Sequence, residues 1–301
     1  MDDAELRELV RAAVVKALWP RDAAAPRPER KPMPEVRRPA DPSTVKLAKR
    51  VALWNKAELP PPPALAHFKP DLDRASYLAR TPARLGVGRA GTRYRTSTLL
   101  AFLTDHAAAR DAVASEVDPE VMKRLRLVPI HSAARDRSEF LRRPDLGRRL
   151  SQESVNLVRK QGVRSPQVQV VAADGLSATA LNVNLPLLLP PLIGHLERAG
   201  VRLGTPFVIS LGRVAAGDEV ARLVDAEVLC LIVGERPGLK TAESLGIYVT
   251  YMRVHRFTEA MRNVISNIHR GGLVPEEAAR QAADLCLKAL KERRTGVDIR
   301  P

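Results

Sequence analysis

Three short loops carry the polar residues that are best placed to bind a ligand. Each loop contains glycine and follows an apolar run that predicts a β-strand, at 168–172, 207–211 and 228–233. The carboxyl ends of parallel strands share one edge of a sheet, and ligands bind at that edge, so the loops are expected to converge. The candidate ligand-binding side chains in these loops are Asp174, Ser177, Arg213, Glu235 and Arg236.

The same residues also have a purely structural interpretation, as an alternative to a binding site. Asp174 would cap a helix, and Glu235 would form an ion pair with Arg236. A single loop would favour the structural interpretation, whereas three glycine-containing loops in register favour a binding site. No metal site is predicted, because the six histidines lack metal-ligand spacing, and no P-loop lysine or nucleophile elbow is present.

A glycine pattern of the dinucleotide-binding type, G-x-G-x-x-G, occupies positions 86–91. It follows no apolar strand, and the next carboxylates lie within a predicted helix, so nicotinamide binding is not favoured. Five arginines surround the pattern with no acidic residue between them: Arg80, Arg84, Arg89, Arg93 and Arg95. They form either a solvated basic face or a surface for an acidic partner or a ligand phosphate.

Strands alternate with helices from about residue 124 to the C-terminus, with a further strand at 247–251 and a final helix from Pro275. This alternation predicts an α/β fold over 124–301 with a doubly wound, mostly parallel, Rossmann-like sheet. Helical periodicity predicts a small helical domain over 46–123. A helix broken by prolines is expected between 178 and 199.

The N-terminal 45 residues have a different composition. Residues 1–19 have apolar residues at helical spacing, which predicts an amphipathic helix. Residues 20–45 contain seven prolines among basic residues and alanines, which predicts a disordered linker. The isolated helix either docks on its own domain or is a targeting peptide that another protein recognises.

The composition restricts the class of protein. The formal charge of +15 suggests a nucleic-acid partner, although an aromatic content of 4% provides few stacking platforms. A basic nucleic-acid-binding protein and a non-catalytic scaffold therefore remain alternatives. No spanning helix and no secretory signal are expected, because long apolar runs are absent and the N-terminus is acidic. Cys230 and Cys286 lie in apolar runs, which favours buried thiols in a reducing cytoplasm.

Five segments carry a family resemblance. In chain order they are ARLGVGRAG at 83–91, RRPDLGRRL at 142–150, ADGLSA at 173–178, GERPGL at 234–239 and ISNIH at 265–269. Together they closely resemble the small (light) subunit of ethanolamine ammonia-lyase, from about residue 75 to the C-terminus. The N-terminal helix and linker are also similar to those of the family.

The resemblance implies an adenosylcobalamin enzyme that converts ethanolamine to acetaldehyde and ammonia by a radical mechanism. It implies that the large subunit binds the substrate and that the small subunit covers the cobalamin at the interface, so no catalytic residue is expected here. The implied cobalamin contacts are Val214, Glu235 and Val264, where Val264 replaces a cysteine of the family. The linker separates the apolar stripe of residues 1–19 from the core, which motivates the hypothesis that this helix addresses the enzyme to a bacterial microcompartment in the cytoplasm.

Overall fold

The computed structural model describes residues 74–81, 83–255 and 257–299, without the side chains of 74, 75 and 298. All of these residues belong to one compact unit, Pro62–Pro301. The predicted targeting helix at 1–19, the predicted linker at 20–45 and the first part of the predicted helical domain lie outside the described residues.

The main sheet has six strands in the order β3-β5-β4-β6-β7-β8. Its first four strands in that order are parallel, and β7 and β8 continue the sheet antiparallel to their neighbours. The strands are β3 (Val128–His131), β4 (Val168–Ala173), β5 (Phe207–Ser210), β6 (Val228–Gly234), β7 (Leu245–Tyr251) and β8 (Asn263–Ile268).

Helices cover both faces of this sheet. One core cluster joins the sheet to α6 (Ala178–Arg198) and α8 (Pro275–Glu292), and the other joins it to α5 (Gln152–Gln161) and α7 (Val214–Val224). Every residue of β4 and β6 is buried, as expected for central strands with helices on both sides. Cys230 and Cys286 are free thiols buried in the first cluster, as predicted. The α/β class is confirmed.

The sheet that the sequence predicted as mostly parallel is mixed, with three parallel and two antiparallel strand pairings. The connection between β6 and β7 spans only 235–244 and contains no helix, so the chain turns back and pairs antiparallel. A parallel crossover needs a dozen or more residues. Strand β8 was not predicted, because its sequence NVISNI is half polar and half apolar. A doubly wound, Rossmann-like topology is not confirmed.

Helix α6 runs without a break from Ala178 to Arg198, although Pro186, Pro190 and Pro191 lie inside it. The sequence predicted a broken helix there, because proline removes a backbone donor. Burial explains the difference. A stripe of leucines on α6 is fully buried against the sheet and α8, and packing of an apolar face stabilises a helix more than propensity does.

The N-terminal part of the described chain is helical and belongs to the same compact unit as the sheet, so a separate helical domain is not confirmed. It contains α1 (Arg74–Arg80), α2 (Thr96–Ala114), α3 (Pro119–Arg124) and a hairpin of β1 (Arg89–Ala90) and β2 (Arg93–Tyr94). The glycine pattern at 86–91 leads into this hairpin and not into a strand-to-helix turn, so it is not a dinucleotide fingerprint. A short helix, α4 (Arg137–Arg142), follows β3.

The end of β6 gives the first prediction. A Cβ atom on Gly234 would lie 2.2 Å from the Ser177 carbonyl oxygen and 2.5 Å from that of Asp174, both of which are backbone atoms. We expect Gly234→Ala to lower the free energy of unfolding by about 1–3 kcal/mol, as overpacking does. Urea denaturation of the full chain measures this loss.

Gly238 is the matched control, because it lies in the same loop and a Cβ there would meet nothing closer than 3.7 Å. Gly238→Ala should leave the denaturation midpoint within experimental error. Equal midpoints for the two variants would show that the contact at Gly234 does not constrain the loop.

Candidate functional site

The loops that follow β4 and β6 are in direct backbone contact at the carboxyl edge of the sheet. The Leu176 amide donates to the Gly234 carbonyl at 3.1 Å, and a Cβ on Gly175 would lie 2.3 Å from that same oxygen. Gly175 has a φ of +54°, a conformation that glycine adopts without strain. Two of the three loops singled out from the sequence therefore form one substructure.

Asp174 connects these loops to the third one. Its carboxylate is 2% exposed, and it accepts from the Gly212 amide at 3.0 Å and from the Arg137 guanidinium at 2.8 Å. Burial raises the pKa of Asp174, and the charge of Arg137 and the amides of the turn after β5 act against that rise. Both carboxylate oxygens are bonded within the protein, so Asp174 positions the loops.

The turn after β5 depends on this carboxylate. Leu211 in that turn has a φ of +55°, the left-handed region that bulky residues avoid. Such a conformation costs on the order of 1–2 kcal/mol and persists only where the surroundings hold it. The bond from the Gly212 amide to Asp174 holds the turn, and α7 begins two residues later at Val214.

Ser177 is fully buried at the start of α6. Its hydroxyl accepts from the Ala180 amide at 3.1 Å and donates to the Ala242 carbonyl at 2.6 Å. The first bond caps the helix, and the second fixes the connection between β6 and β7. The Ser177 side chain is thus used within the fold, as the Asp174 side chain is.

Arg213 lies just before α7 among other arginines. Its guanidinium lies 4.4 Å from the centroid of the Phe140 ring and donates to the Phe140 carbonyl at 3.3 Å. Burial lowers the pKa of Arg213, and the charges of Arg236, Arg137 and Arg148 lower it further. Its buried Nε has no partner within the described residues. This edge of the sheet is therefore electropositive and suited to an acceptor or an anion.

Glu235 begins the loop after β6 and is half-buried. Its carboxylate accepts from the Ser244 hydroxyl at 2.5 Å, and its amide donates to the Ser244 carbonyl at 3.0 Å. Arg236 is exposed, and the described part of the chain contains no ion pair between it and Glu235. The alternative of a structural pair within GERPGL is therefore not found, and Ser244 is the partner instead.

Val214 and Val264 lie on the same face of the sheet. Val264 is paired in register with Tyr248, and both Tyr248 and Val214 pack against the core cluster beneath α5 and α7. Ile265, the next residue of β8, packs against the opposite cluster, which places Val264 on the α7 side. Val264 is 51% exposed, so this apolar surface continues past the helix towards solvent.

Sequence reasoning missed three residues that shape this region, namely Arg137, Phe140 and Ser244. Arg137 donates to the Gly175 carbonyl at 3.1 Å and also binds Asp174. The Phe140 ring lies 5.2 Å from the Arg137 guanidinium and 4.4 Å from that of Arg213. No spacing rule connects these positions to the loops. Only the arginine-rich composition of 135–149 indicated the charge at this edge.

Comparison with known proteins identifies the family of this chain. The family described as ethanolamine ammonia-lyase light chain (EutC) matches residues 73–300, which include the whole site. The chain belongs to this family. The resemblance drawn from the five segments is thereby confirmed, and membership implies a lyase complex.

Individual relatives carry the name ethanolamine ammonia-lyase small subunit. The protein of Fusobacterium nucleatum is 45% identical over 224 residues, which are 74% of this chain and 76% of that protein. The protein of Lachnoclostridium phytofermentans is 42% identical over 236 residues, 78% of this chain and 80% of its own length. The name small subunit implies a large-subunit partner.

The described residues contain neither a membrane-spanning helix nor a metal-binding cluster. No helix among them is long and apolar enough to cross a membrane. No group of three or more His, Cys, Asp or Glu side chains within 74–81, 83–255 and 257–299 could hold a metal ion.

The second prediction concerns the buried pair of Arg137 and Asp174, whose side chains are 19% and 3% exposed. Arg137→Met leaves the carboxylate buried without its cation, which should cost about 3 kcal/mol of stability at neutral pH. Because burial raises the pKa of Asp174 in the folded state, protonation relieves this penalty. The stability deficit should therefore be largest at neutral pH and shrink as the pH falls below the raised pKa. Thermal melts between pH 4 and 8 measure it.

The double variant Arg137→Met with Asp174→Asn is the control. Removing the charge together with its partner should restore part of the stability and remove the pH dependence that Asp174 contributes to it. A deficit in Arg137→Met that is constant across the pH range would mean that Asp174 carries no uncompensated charge.

Proposed function

We propose that this chain is the small subunit of an adenosylcobalamin-dependent ethanolamine ammonia-lyase and that it covers the cofactor at the interface with the large subunit. The family match over 73–300 is the observation that carries the proposal. The reaction is the conversion of ethanolamine to acetaldehyde and ammonia. When bound, the cofactor supplies radical chemistry through homolysis of its cobalt–carbon bond.

The residues of the carboxyl edge suit such a ligand. A corrin ring has apolar faces and a rim of amide side chains, which both donate and accept hydrogen bonds. The exposed Val264, with Val214 on the same face, offers apolar contact. The Glu235 carboxylate, just after the end of β6, offers a hydrogen-bond acceptor. Arg213 and Arg236 offer donors for amide oxygens or for the phosphate of the cofactor.

Asp174 and Ser177 have an indirect role in this proposal. Both side chains are buried and bonded to the protein, so they hold the loops that present Val214 and Glu235. Replacement of the family's cysteine by Val264 keeps an apolar contact and removes any role specific to sulfur. The substrate chemistry belongs to the large subunit, and this chain provides no catalytic residue.

The third prediction tests the contact of Glu235 with the cofactor. Hydrogen bonds to a charged acceptor contribute about 1.5–3 kcal/mol each, so Glu235→Ala should weaken adenosylcobalamin binding by roughly one to two powers of ten. Turnover at saturating cofactor should fall much less. Titration of the reconstituted two-subunit complex with cofactor, followed by its absorption spectrum, measures the affinity.

Ser244→Ala is the matched control, because it removes the hydroxyl that binds Glu235 and keeps the carboxylate. If Glu235 is only structural, both variants should lower the melting temperature and leave cofactor affinity unchanged.

The alternative of a basic nucleic-acid-binding protein predicts salt-dependent retention on DNA by a complex that binds no corrinoid.

The fourth prediction concerns residues 1–45, which precede the family match and whose sequence joins a predicted amphipathic helix to a proline-rich stretch. We propose that they address the enzyme to a bacterial microcompartment. Deletion of 1–45 should leave turnover of the complex intact and abolish co-localisation with a shell, as seen by fluorescence of a tagged chain. A large loss of turnover would instead place these residues in the working enzyme.

A further inference from the structure

Exposed apolar side chains concentrate in one part of the described chain. Eight of its fifteen exposed large hydrophobic residues lie between 77 and 103, and we call these eight the arm surface. Monomeric proteins seldom expose so many apolar side chains in one segment, and such patches mark interaction sites. The arm surface consists of Tyr77, Leu78, Leu85, Tyr94, Leu99, Leu100, Phe102 and Leu103.

Helix α2 provides half of this surface. Its Leu100 is 57% exposed and its Leu103 is 49% exposed, and Ala112 is its only buried residue. A helix with this many leucines is normally buried on at least one side. Here its N-terminal two turns have apolar residues that the described part of the chain leaves uncovered.

The segment that carries the arm surface is attached to the candidate site at two places. Near the hairpin, Arg84 pairs with Asp105 of α2 and donates to the Leu239 carbonyl at 3.2 Å, in the loop that begins with Glu235. After α2, the Ser115 carbonyl accepts from Arg137 at 3.1 Å, and its hydroxyl accepts from the Thr179 amide at 3.1 Å. A partner that covers the arm therefore also reaches the carboxyl edge of the sheet.

We infer that the arm surface is the docking surface for the large subunit, which meets it with an apolar surface rimmed by acidic groups. This inference rests on the proposed function, because the large subunit is the partner that the family name implies. The acidic rim follows from Arg80, Arg89 and Arg93, which form no ion pair within the described residues. Two copies of this surface would bring those like charges together, which argues against self-association.

The test uses the full chain co-expressed with a tagged large subunit. Leu100→Asp places a charge in the centre of the arm surface and should lower the recovered ratio of small to large subunit at least tenfold. Val163→Asp is the matched control, because Val163 is 42% exposed but precedes β4 at the opposite edge of the sheet. Its ratio should equal that of the native chain. Unchanged recovery of the Leu100 variant would overturn the inference.

A second measurement does not depend on how the variant folds. Amide hydrogen exchange of the native chain, alone and in the complex, should show at least tenfold slower exchange of 97–106 in the complex. Equal exchange in both states would overturn the inference, as would a homodimer of this chain that Leu100→Asp dissociates while the large subunit stays bound. The proposed function is tested separately by the activity of the native complex. It is wrong if that complex does not deaminate ethanolamine in the presence of adenosylcobalamin.

Discussion

The carboxylate of Asp174 bonds to the Gly212 amide and to Arg137 at the end of β4, and the arrangement of the candidate site depends on these bonds. They connect the end of one central strand to the turn after its neighbour, where Leu211 has an unfavourable backbone conformation. Arg137 in turn reaches the Gly175 carbonyl and the Ser115 carbonyl. A buried carboxylate with these partners fixes three segments that are distant in sequence.

The same region collects positive charge beyond what Asp174 balances. Burial lowers the pKa of Arg213, and so do the charges of the neighbouring Arg236, Arg137 and Arg148, which repel its guanidinium. Stacking on the Phe140 ring holds the Arg213 guanidinium in place. A ligand with carbonyl or phosphate oxygens would relieve this repulsion, which is the electrostatic side of the proposed cofactor contact.

Two apolar surfaces of the described chain are left uncovered, and each extends past the element that covers its neighbours. Val264 extends the core face beneath α7 past the edge of that helix, and the arm surface extends beyond the hairpin and α2. The arm surface is joined to the carboxyl edge by the bonds of Arg84 to Leu239 and of Arg137 to Ser115. A subunit that works only in a complex is expected to leave such faces for its partner, because isolated exposure of apolar area is unfavourable.

The sequence by itself determined the central strands, since the runs at 168–172 and 228–233 are apolar throughout and have no other stable place than a buried sheet. It also placed Glu235 and Val214 at strand ends, and the five segments in order were enough to identify the family. It could not determine the direction of β7 or the existence of β8, because the first depends on a connection too short for a crossover and the second on pairing with β7.

Tertiary structure alone decided how each candidate residue is used. Asp174 and Ser177 looked like ligand contacts because they follow a strand, but packing buries both and gives their oxygens partners from Gly212, Arg137 and Ala242. Helix α6 continues through Pro186 because its leucines are buried against the sheet. The local sequence indicates which groups can form hydrogen bonds. Contacts between distant segments decide which of those bonds form, because burial and long-range pairing exist only in the assembled fold.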